Sequence, residues 1–260
     1  MLKNKTAIVT GSTSGIGLGM ARALAKAGAS VMLNGFGDAT AIETIRRELA
    51  AESGARVLHH AADVTQAGEV AALVAATEHA FGAVDILVNN AGIQFVAPLD
   101  EFPEDKWTAI QNTILNASFH AIKAALPGMK RRNWGRIINL VSVHGLVASP
   151  FKSAYVAAKH GQIGLTKTVA LEVAETGITC NAICPGYVLT PLVEGQIESQ
   201  ARMHNLPRDR VVREVMLAVQ PTKRFVEVED IAALAVFLCS DAAKSITGAA
   251  IPIDGGWTAR

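Results

Sequence analysis

Short runs of β-branched and aliphatic residues alternate with longer segments of helical period, and this alternation constrains the fold of the chain most strongly. The strand-like runs are apolar throughout, as in "TAIVT" and "SVMLN", instead of alternating with polar residues. Continuous apolar strands are typical of a parallel sheet that helices cover on both faces. The repetition therefore predicts a series of βα units.

Such a series predicts an α/β fold with one doubly wound parallel sheet of the Rossmann type and right-handed crossovers. The predicted strands are 6–10, 30–34, 55–60, 86–90, 135–141, 178–183 and 250–253. The predicted helices are 15–27, 39–53, 67–81, 103–132, 153–176 and 228–240. A chain of 260 residues that is 50% hydrophobic can form one large domain, so we expect a single domain over 1–260.

The segment from 186 to about 223 departs from this pattern. Its apolar residues lose a regular helical or strand period, and charged residues become more frequent. Ligands of doubly wound sheets bind beyond the carboxyl ends of the strands. We therefore interpret the segment as an irregular, mobile lid over a ligand site.

Charge and cysteine content narrow the class of function. The 24 basic and 23 acidic residues are interspersed, for a net charge of +1, which gives no electrostatic footprint for nucleic acid or a membrane. No signal-peptide core or long apolar run is evident, so a cytoplasmic protein is expected. The three cysteines, Cys180, Cys184 and Cys239, lack CxxC spacing, which favours buried free thiols and no metal.

A glycine-rich turn, with Gly11, Gly15 and Gly17, joins the first strand to the first helix. Glycine leaves room for backbone N–H groups and a positive helix end to approach a pyrophosphate. Glycines also serve ordinary tight turns, but a turn directly after the first strand favours a nucleotide site.

Tyr155 and Lys159 are four positions apart in a predicted helix and therefore share one face. A phenol acts as a base near neutrality only if its anion is stabilised, and a lysine one turn away offers that charge. Ser142, at the end of the fifth strand, can hydrogen-bond a substrate oxygen. Taken alone, these residues favour an exposed helix pair and a turn serine; the nucleotide motif upstream reverses that preference in favour of chemistry.

The GxxxGxG turn, the "NNAG" after the fourth strand, the "CPG" before Thr190 and the order Ser142, Tyr155, Lys159 together resemble the short-chain dehydrogenase/reductase family. The resemblance implies an oxidoreductase in which Tyr155 takes the proton of a secondary alcohol as hydride passes to a nicotinamide. In it, Ser142 orients the oxygen, and Lys159 lowers the tyrosine pKa and holds the ribose. Family members are commonly tetrameric, so a homotetramer is expected.

The family resemblance also implies which residues contact the dinucleotide. Asp63 and Val64 would lie at the adenine, Asn90 and Gly92 along the ribose and pyrophosphate, and Thr190 at the nicotinamide carboxamide. The cofactor-binding residues implied are Gly11, Thr13, Gly15, Ile16, Gly17, Phe36, Asp63, Val64, Asn90, Gly92, Tyr155, Lys159, Pro185, Gly186, Val188 and Thr190.

The choice between NAD and NADP depends on charge near the adenosine ribose, because a 2′-phosphate favours a neighbouring Arg or Lys. Neither "LNGFGD" at the second strand nor "GSTSG" in the turn contains a cation, so NAD is favoured. The acidic residue that usually binds the ribose hydroxyls is missing at Asn34 and Gly35. Either Asp38 reaches the ribose, or Phe36 packs against the adenosine.

Lys152, three residues before Tyr155, suits a small substrate with a negative group near its hydroxyl, although a solvated loop lysine is an alternative. The stretches "HGLVAS", "SAYVAAKHG", "TPLVEGQI" and "DGGWTAR" resemble family members that act on small 3-hydroxy acids. That resemblance implies a carboxylate site with Tyr187 and Trp257 around the methyl end. The substrate-binding residues implied are Gln94, Ser142, His144, Lys152, Tyr155, Tyr187, Gln196 and Trp257.

The expected reaction is the reversible, NAD-dependent oxidation of (R)-3-hydroxybutyrate to acetoacetate. An alternative is an NAD(P)-dependent reductase of another small 3-oxo acid or of 3-oxoacyl thioesters. A third reading, from a different class of protein, is a dinucleotide-binding regulator without catalysis.

One position departs from the family pattern. The fourth catalytic residue of the family is an asparagine, and counting from Trp107 places Ile114 there. Asn112 and Asn116 are each displaced by about 200° around an α-helix, so neither replaces it without a register shift such as a π-bulge. We hypothesise that proton release is slowed or rerouted, and that Ile114→Asn would raise turnover.

Overall fold

A seven-stranded parallel sheet forms the centre of the molecule. The computed structural model describes residues 1–259, apart from the side chains of Pro191, Leu192, Gln196, Ser199, Gln200 and His204. The strand order is β3-β2-β1-β4-β5-β6-β7. The strands are β1 (Thr6–Val9), β2 (Ser30–Asn34), β3 (Val57–His60), β4 (Ile86–Asn89), β5 (Gly135–Leu140), β6 (Ile178–Pro185) and β7 (Ala250–Ile253).

The strand order reverses between the two central strands, β1 and β4, and this reversal determines where a ligand site can form. Val9 of β1 pairs with Leu33 on one side and Val88 on the other. Strands added after β1 extend the sheet first in one direction and then in the other. The loops at the carboxyl ends of β1 and β4 therefore diverge and leave a crevice between them, where doubly wound sheets bind ligands.

Helices cover both faces of the sheet, as predicted. The first, second and last long helices pack with the sheet in one apolar cluster, and the third, fifth and sixth contribute to a cluster on the other face. The helices are α1 (Gly15–Lys26), α2 (Ala39–Ser53), α3 (Ala67–Phe81), α4 (Glu104–Gln111), α5 (Ala117–Arg132), α6 (Ser153–Glu172), α7 (Pro191–His204), α8 (Arg208–Arg210) and α9 (Val228–Cys239).

Two predicted segments differ from the structure. The single helix expected over 103–132 is interrupted by a π-helical turn, Asn112–Asn116. The segment expected to be irregular contains helix α7 and a second π-helical turn, Val211–Val215. Ile197 packs there with Val211 and Met216 in a small separate core, which a loop without regular structure would not form.

The three cysteines are buried free thiols, as predicted. Within residues 1–259, no group of three His, Cys, Asp or Glu side chains is arranged to hold a metal ion. No helix in that range combines the length and the apolar character needed to cross a membrane.

Helices α1 and α9 pack closely because Gly19 lies at their contact. A Cβ added to Gly19 would lie 2.1 Å from Val228 Cγ1. A β-branched side chain has little freedom to move away. Alanine at position 19 would gain about 1 kcal/mol of helix propensity but would overpack the contact at a cost of about 1–3 kcal/mol.

We expect Gly19→Ala to lower the free energy of unfolding by about 1 kcal/mol, because the packing cost exceeds the propensity gain. In a Val228→Ala background the same change should instead stabilise the fold. Gly164→Ala is the matched control, since nothing lies within 4 Å of a Cβ there. Urea unfolding of the four variants measures this, and a loss from Gly19→Ala in both backgrounds would contradict it.

Candidate active site

Hydrogen bonds between the two central strands fix the glycine-rich turn. The Asn90 Nδ2 group donates to the carbonyls of Thr10 (2.8 Å) and Gly11 (2.9 Å). The backbone N–H groups of Asn90 and Ala91 donate to Thr10 Oγ1. The Asn34 backbone also pairs with Ser12, so the ends of β2, β1 and β4 are joined around the turn.

The amino end of α1 is suited to an anion. Gly11 and Gly15 adopt positive φ angles of 60° and 56°. A Cβ on Gly17 would lie 2.3 Å from the Gly11 carbonyl oxygen, so a side chain would fill this turn. The helix has no acidic residue in its first turn, and the N-cap Ser14 makes no side-chain cap bond. Its first N–H groups are therefore available to a ligand phosphate, and the residues present fit a dinucleotide.

The two residues suggested for the ribose end differ in their surroundings. Asp38 accepts a hydrogen bond from the Ala41 N–H at 2.8 Å and caps α2, so the suggestion that it reaches the ribose is not supported. Its local capping bond competes with any longer reach. Phe36 lines the cavity and is 63% exposed. Asn34 is buried, and its Nδ2 group donates hydrogen bonds to the carbonyls of His60 and Ala62.

The predicted catalytic residues lie at the carboxyl end of β5 and on α6. Ser142 caps a short 3₁₀ turn, Val143–Gly145, directly after the strand. Tyr155 and Lys159 share one face of α6, and the lysine Nζ lies 5.6 Å from the centre of the tyrosine ring. The spacing of four residues thus places the cation beside the phenol, as predicted.

Burial disfavours the charged forms of both side chains. Desolvation raises the pKa of Tyr155 to about 12, although the Ser142 hydroxyl acts to lower it. Desolvation also lowers the pKa of Lys159 to about 7. Both charged forms lose hydration in the same buried space, so the predicted effect of Lys159 on the tyrosine pKa has to act against this burial.

Next to these residues, the cavity wall combines aromatic rings with a cation. Tyr187 and Trp257 stack with centroids 5.5 Å apart, and His144 meets Trp257 edge-on at 5.5 Å. Lys152 Nζ lies 5.7 Å from the Tyr187 ring. Burial lowers the pKa of Lys152. The Gln94 Nε2 group is buried without a hydrogen-bond partner, so this end of the cavity holds donors suited to an oxygen-rich group.

Ile114 does not present a polar group to the site. Its side chain is fully buried and packs with Ile110, Ala154 and Ala158. The π-helical turn that such a register shift requires is present, and within it Asn116 Nδ2 donates a hydrogen bond to Asn112 Oδ1. Ile114→Asn would bury an amide among apolar groups, which opposes the hypothesised gain in turnover.

One cavity of about 700 Å³ collects the predicted residues. Every predicted catalytic, cofactor and substrate residue lines it except Gln196, whose side chain lies outside the described residues. Their individual roles remain predictions. Sequence reasoning missed Thr113, which lines the cavity beside the π-helical turn, and no local motif marks it.

His144 is held neutral by its surroundings. Its Nδ1 lies 3.3 Å from Ser142 Oγ and its Nε2 lies 2.8 Å from Ser149 Oγ. Desolvation and then the nearby Lys152 charge lower the pKa of His144 to about 4 from 6.5. The unfolded chain thus binds the extra proton between pH 6.5 and 4, so this group contributes stability that is lost as the pH falls through that window.

We expect His144→Gln to reduce the loss of unfolding free energy between pH 6.5 and 4 by about 3 kcal/mol, because glutamine does not titrate. Urea unfolding at several pH values measures the loss for each protein. His79→Gln, at an exposed histidine, controls for removal of an imidazole. Parallel pH curves for wild type and His144→Gln would show that the histidine is not the group responsible.

Comparison with known proteins places this geometry in a family. A family model described as enoyl-(acyl carrier protein) reductase matches residues 11–258. The chain is 59% identical over 256 residues to a D-beta-hydroxybutyrate dehydrogenase of Rhizobium meliloti, covering 98% of this chain and 99% of that protein. It is 54% identical over 261 residues to a D-beta-hydroxybutyrate dehydrogenase of Cupriavidus necator, covering 100% of both.

More distant relatives share the fold. The chain is 38% identical over 253 residues to a 3-oxoacyl-(acyl-carrier-protein) reductase of Staphylococcus epidermidis, covering 97% of this chain and 98% of that protein. The crystal structure of an actinorhodin polyketide ketoreductase variant with NADPH superposes with a TM-score of 0.92 at 35% identity, covering 99% of each chain. The chain belongs to the short-chain dehydrogenase/reductase family.

Proposed function

We propose that the protein is a D-3-hydroxybutyrate dehydrogenase, which catalyses the reversible NAD-dependent oxidation of (R)-3-hydroxybutyrate to acetoacetate in ketone body metabolism. The observation that carries the proposal is the position of Lys152, on the wall of the cavity that also holds Ser142, Tyr155 and Lys159. High identity to two proteins of that name supports it.

The charge of the cavity favours a small carboxylate. Among the described lining residues, the acidic one is Asp63, and it is bonded to Thr65 at the predicted adenine end. No ion pair of Lys152 is found within the described part of the chain, and Gln94 Nε2 has a free donor. A carboxylate would accept hydrogen bonds from both donors, while the stacked Tyr187 and Trp257 leave the methyl end an apolar wall.

The residues would act on the alcohol in the following way. The Ser142 hydroxyl holds the substrate oxygen, and the Tyr155 phenolate takes its proton. The substrate C–H bond breaks with its electron pair, which leaves as hydride, so the alcohol becomes a ketone. An oxidised nicotinamide, when bound, would supply the hydride acceptor and a positive charge that would favour the phenolate against its raised pKa. Lys159 adds its charge from one helical turn away.

Charge also supports NAD over NADP. The cations that line the described cavity are Lys152 and Lys159, and both belong to the chemical end. At the predicted ribose end, Asn34, Gly35 and Phe36 offer no positive charge to a 2′-phosphate. The Phe36 ring is exposed on that wall and would pack against an adenosine.

The remaining expectations extend the proposal. The segment 186–223 would act as a lid, since Tyr187, Val188, Thr190 and Val193 line the cavity from it. Exposed apolar side chains on α4, α5 and α9, namely Trp107, Phe119 and Phe237, support a homotetramer. The proposed location is the cytoplasm.

The proposal predicts NADH formation with D-3-hydroxybutyrate but not with its L enantiomer or without substrate, and a preference for NAD over NADP.

Lys152→Met should raise the KM for D-3-hydroxybutyrate by about 100-fold, because a charge-assisted hydrogen bond contributes roughly 1.5–3 kcal/mol. Oxidation of butan-2-ol, which lacks the carboxylate, should change little. Steady-state kinetics with both alcohols measure the difference.

Lys167→Met is the matched control, since Lys167 is exposed on the same helix as Tyr155. It should leave both substrates unaffected. Absence of a D-dependent signal in wild type would reject the reaction. Equal loss with both alcohols in Lys152→Met would reject the carboxylate contact.

A further inference from the structure

Lys159 is buried, and one of its hydrogen bonds joins it to Gln162 on α6, which is not among the predicted catalytic residues. The residue is 3% exposed. Its Nζ donates to the Leu140 carbonyl at 2.7 Å and to Gln162 Oε1 at 2.9 Å. An ammonium has three donors, so these two acceptors leave one for the cavity that Lys159 lines.

Gln162 is itself fixed on its other side. The side chain is 1% exposed, and its Nε2 donates to Ser118 Oγ at 2.7 Å. Ser118 is 2% exposed and donates to the Ile114 carbonyl at 2.7 Å. The hydrogen-bonded path therefore runs from Lys159 to the π-helical turn at the position where the family has an asparagine.

The direction of every bond in this path is determined. The Ile114 carbonyl only accepts, so the Ser118 hydroxyl must donate to it and accept from Gln162. The Gln162 amide nitrogen must then face Ser118, and it also donates to the Ile114 carbonyl at 3.4 Å, which leaves its oxygen to face Lys159. The reversed amide would place N–H donors against an ammonium.

We propose that Gln162 is a positioning residue for Lys159, held in orientation by Ser118, and that it supports the charged lysine where Ile114 offers no side-chain oxygen. A carboxamide does not titrate and the path ends at a carbonyl, so it fixes the lysine without carrying its proton away. The proton of Lys159 would exchange through the cavity. The catalytic part of this inference rests on the proposed function.

The other titratable groups that face Lys159 are few in the described structure. Tyr155 lies beside it on α6, and Cys184 acts on it from β6. Burial raises the pKa of the Cys184 thiol to about 11, so the thiol is neutral near pH 7. Gln162 and the Leu140 carbonyl are therefore the groups that offset the lost hydration of the ammonium.

The test replaces Gln162 with leucine and follows Lys159 by NMR in protein labelled with ¹³Cε-lysine. The Lys159 signal is assigned by its loss in Lys159→Met. In wild type we expect a titration midpoint of about 7. In Gln162→Leu the midpoint should fall by about one pH unit, because the ammonium loses an acceptor. The kcat for alcohol oxidation should fall about tenfold, with the substrate KM nearly unchanged.

Gln111→Leu is the matched control. Gln111 is also a glutamine that donates across to α6, at the Ala154 carbonyl (2.9 Å), but it makes no hydrogen bond to Lys159. Its replacement should leave the Lys159 midpoint unchanged. If Gln162→Leu does not fold, Ser118→Ala should lower the midpoint by about half a unit through loss of the amide's orientation.

The outcomes separate this proposal from the proposed function. A wild type inactive on D-3-hydroxybutyrate would reject the reaction, while the NMR titration would still test Gln162. An unchanged midpoint in Gln162→Leu and Ser118→Ala, or an equal shift in Gln111→Leu, would overturn the positioning role whatever the activity.

Discussion

Two hydrogen bonds from one carboxamide, that of Asn90, to the carbonyls of Thr10 and Gly11 join the ends of the two central strands. At this point the strand order reverses, and the loops would otherwise separate freely. Gly17 has no Cβ, and a Cβ there would clash with the Gly11 carbonyl oxygen. The first turn of α1 can therefore lie directly against this junction. The position of the helix end, and hence of any phosphate on it, follows from the junction.

The position of the predicted catalytic residues depends on a second set of buried polar contacts. Asn89 Nδ2 donates to Asn139 Oδ1, and Asn139 Nδ2 donates to Thr166 Oγ1, each at 2.8 Å. These bonds connect β4 and β5 to α6, the helix that carries Tyr155 and Lys159. Polar residues in otherwise apolar strands therefore set the height of the helix relative to the strand ends. An apolar interface would allow the helix to slide, whereas fully paired amides specify one position.

The sequence predicted the sheet, its covering helices and the residues that line the cavity, because apolar period and glycine spacing are local signals. It did not predict the capping role of Asp38, the position of Thr113 or the helix within 186–223. These features depend on contacts between distant segments, as when Ile197 packs on Val211. It also did not show that burial disfavours the charged forms of Tyr155 and Lys159, since spacing reports proximity and not desolvation.

The partner of Lys159 is a neutral amide, and its neutrality has a consequence for the phenol. A carboxylate at position 162 would stabilise the ammonium more strongly, but its negative charge would cancel much of the positive potential that reaches Tyr155. An amide oxygen accepts the same hydrogen bond and adds no net charge. The lysine then keeps a lowered pKa, and its charge acts on Tyr155 without compensation. A buried site that must favour a phenolate therefore gains more from a dipole beside the lysine than from a counter-ion.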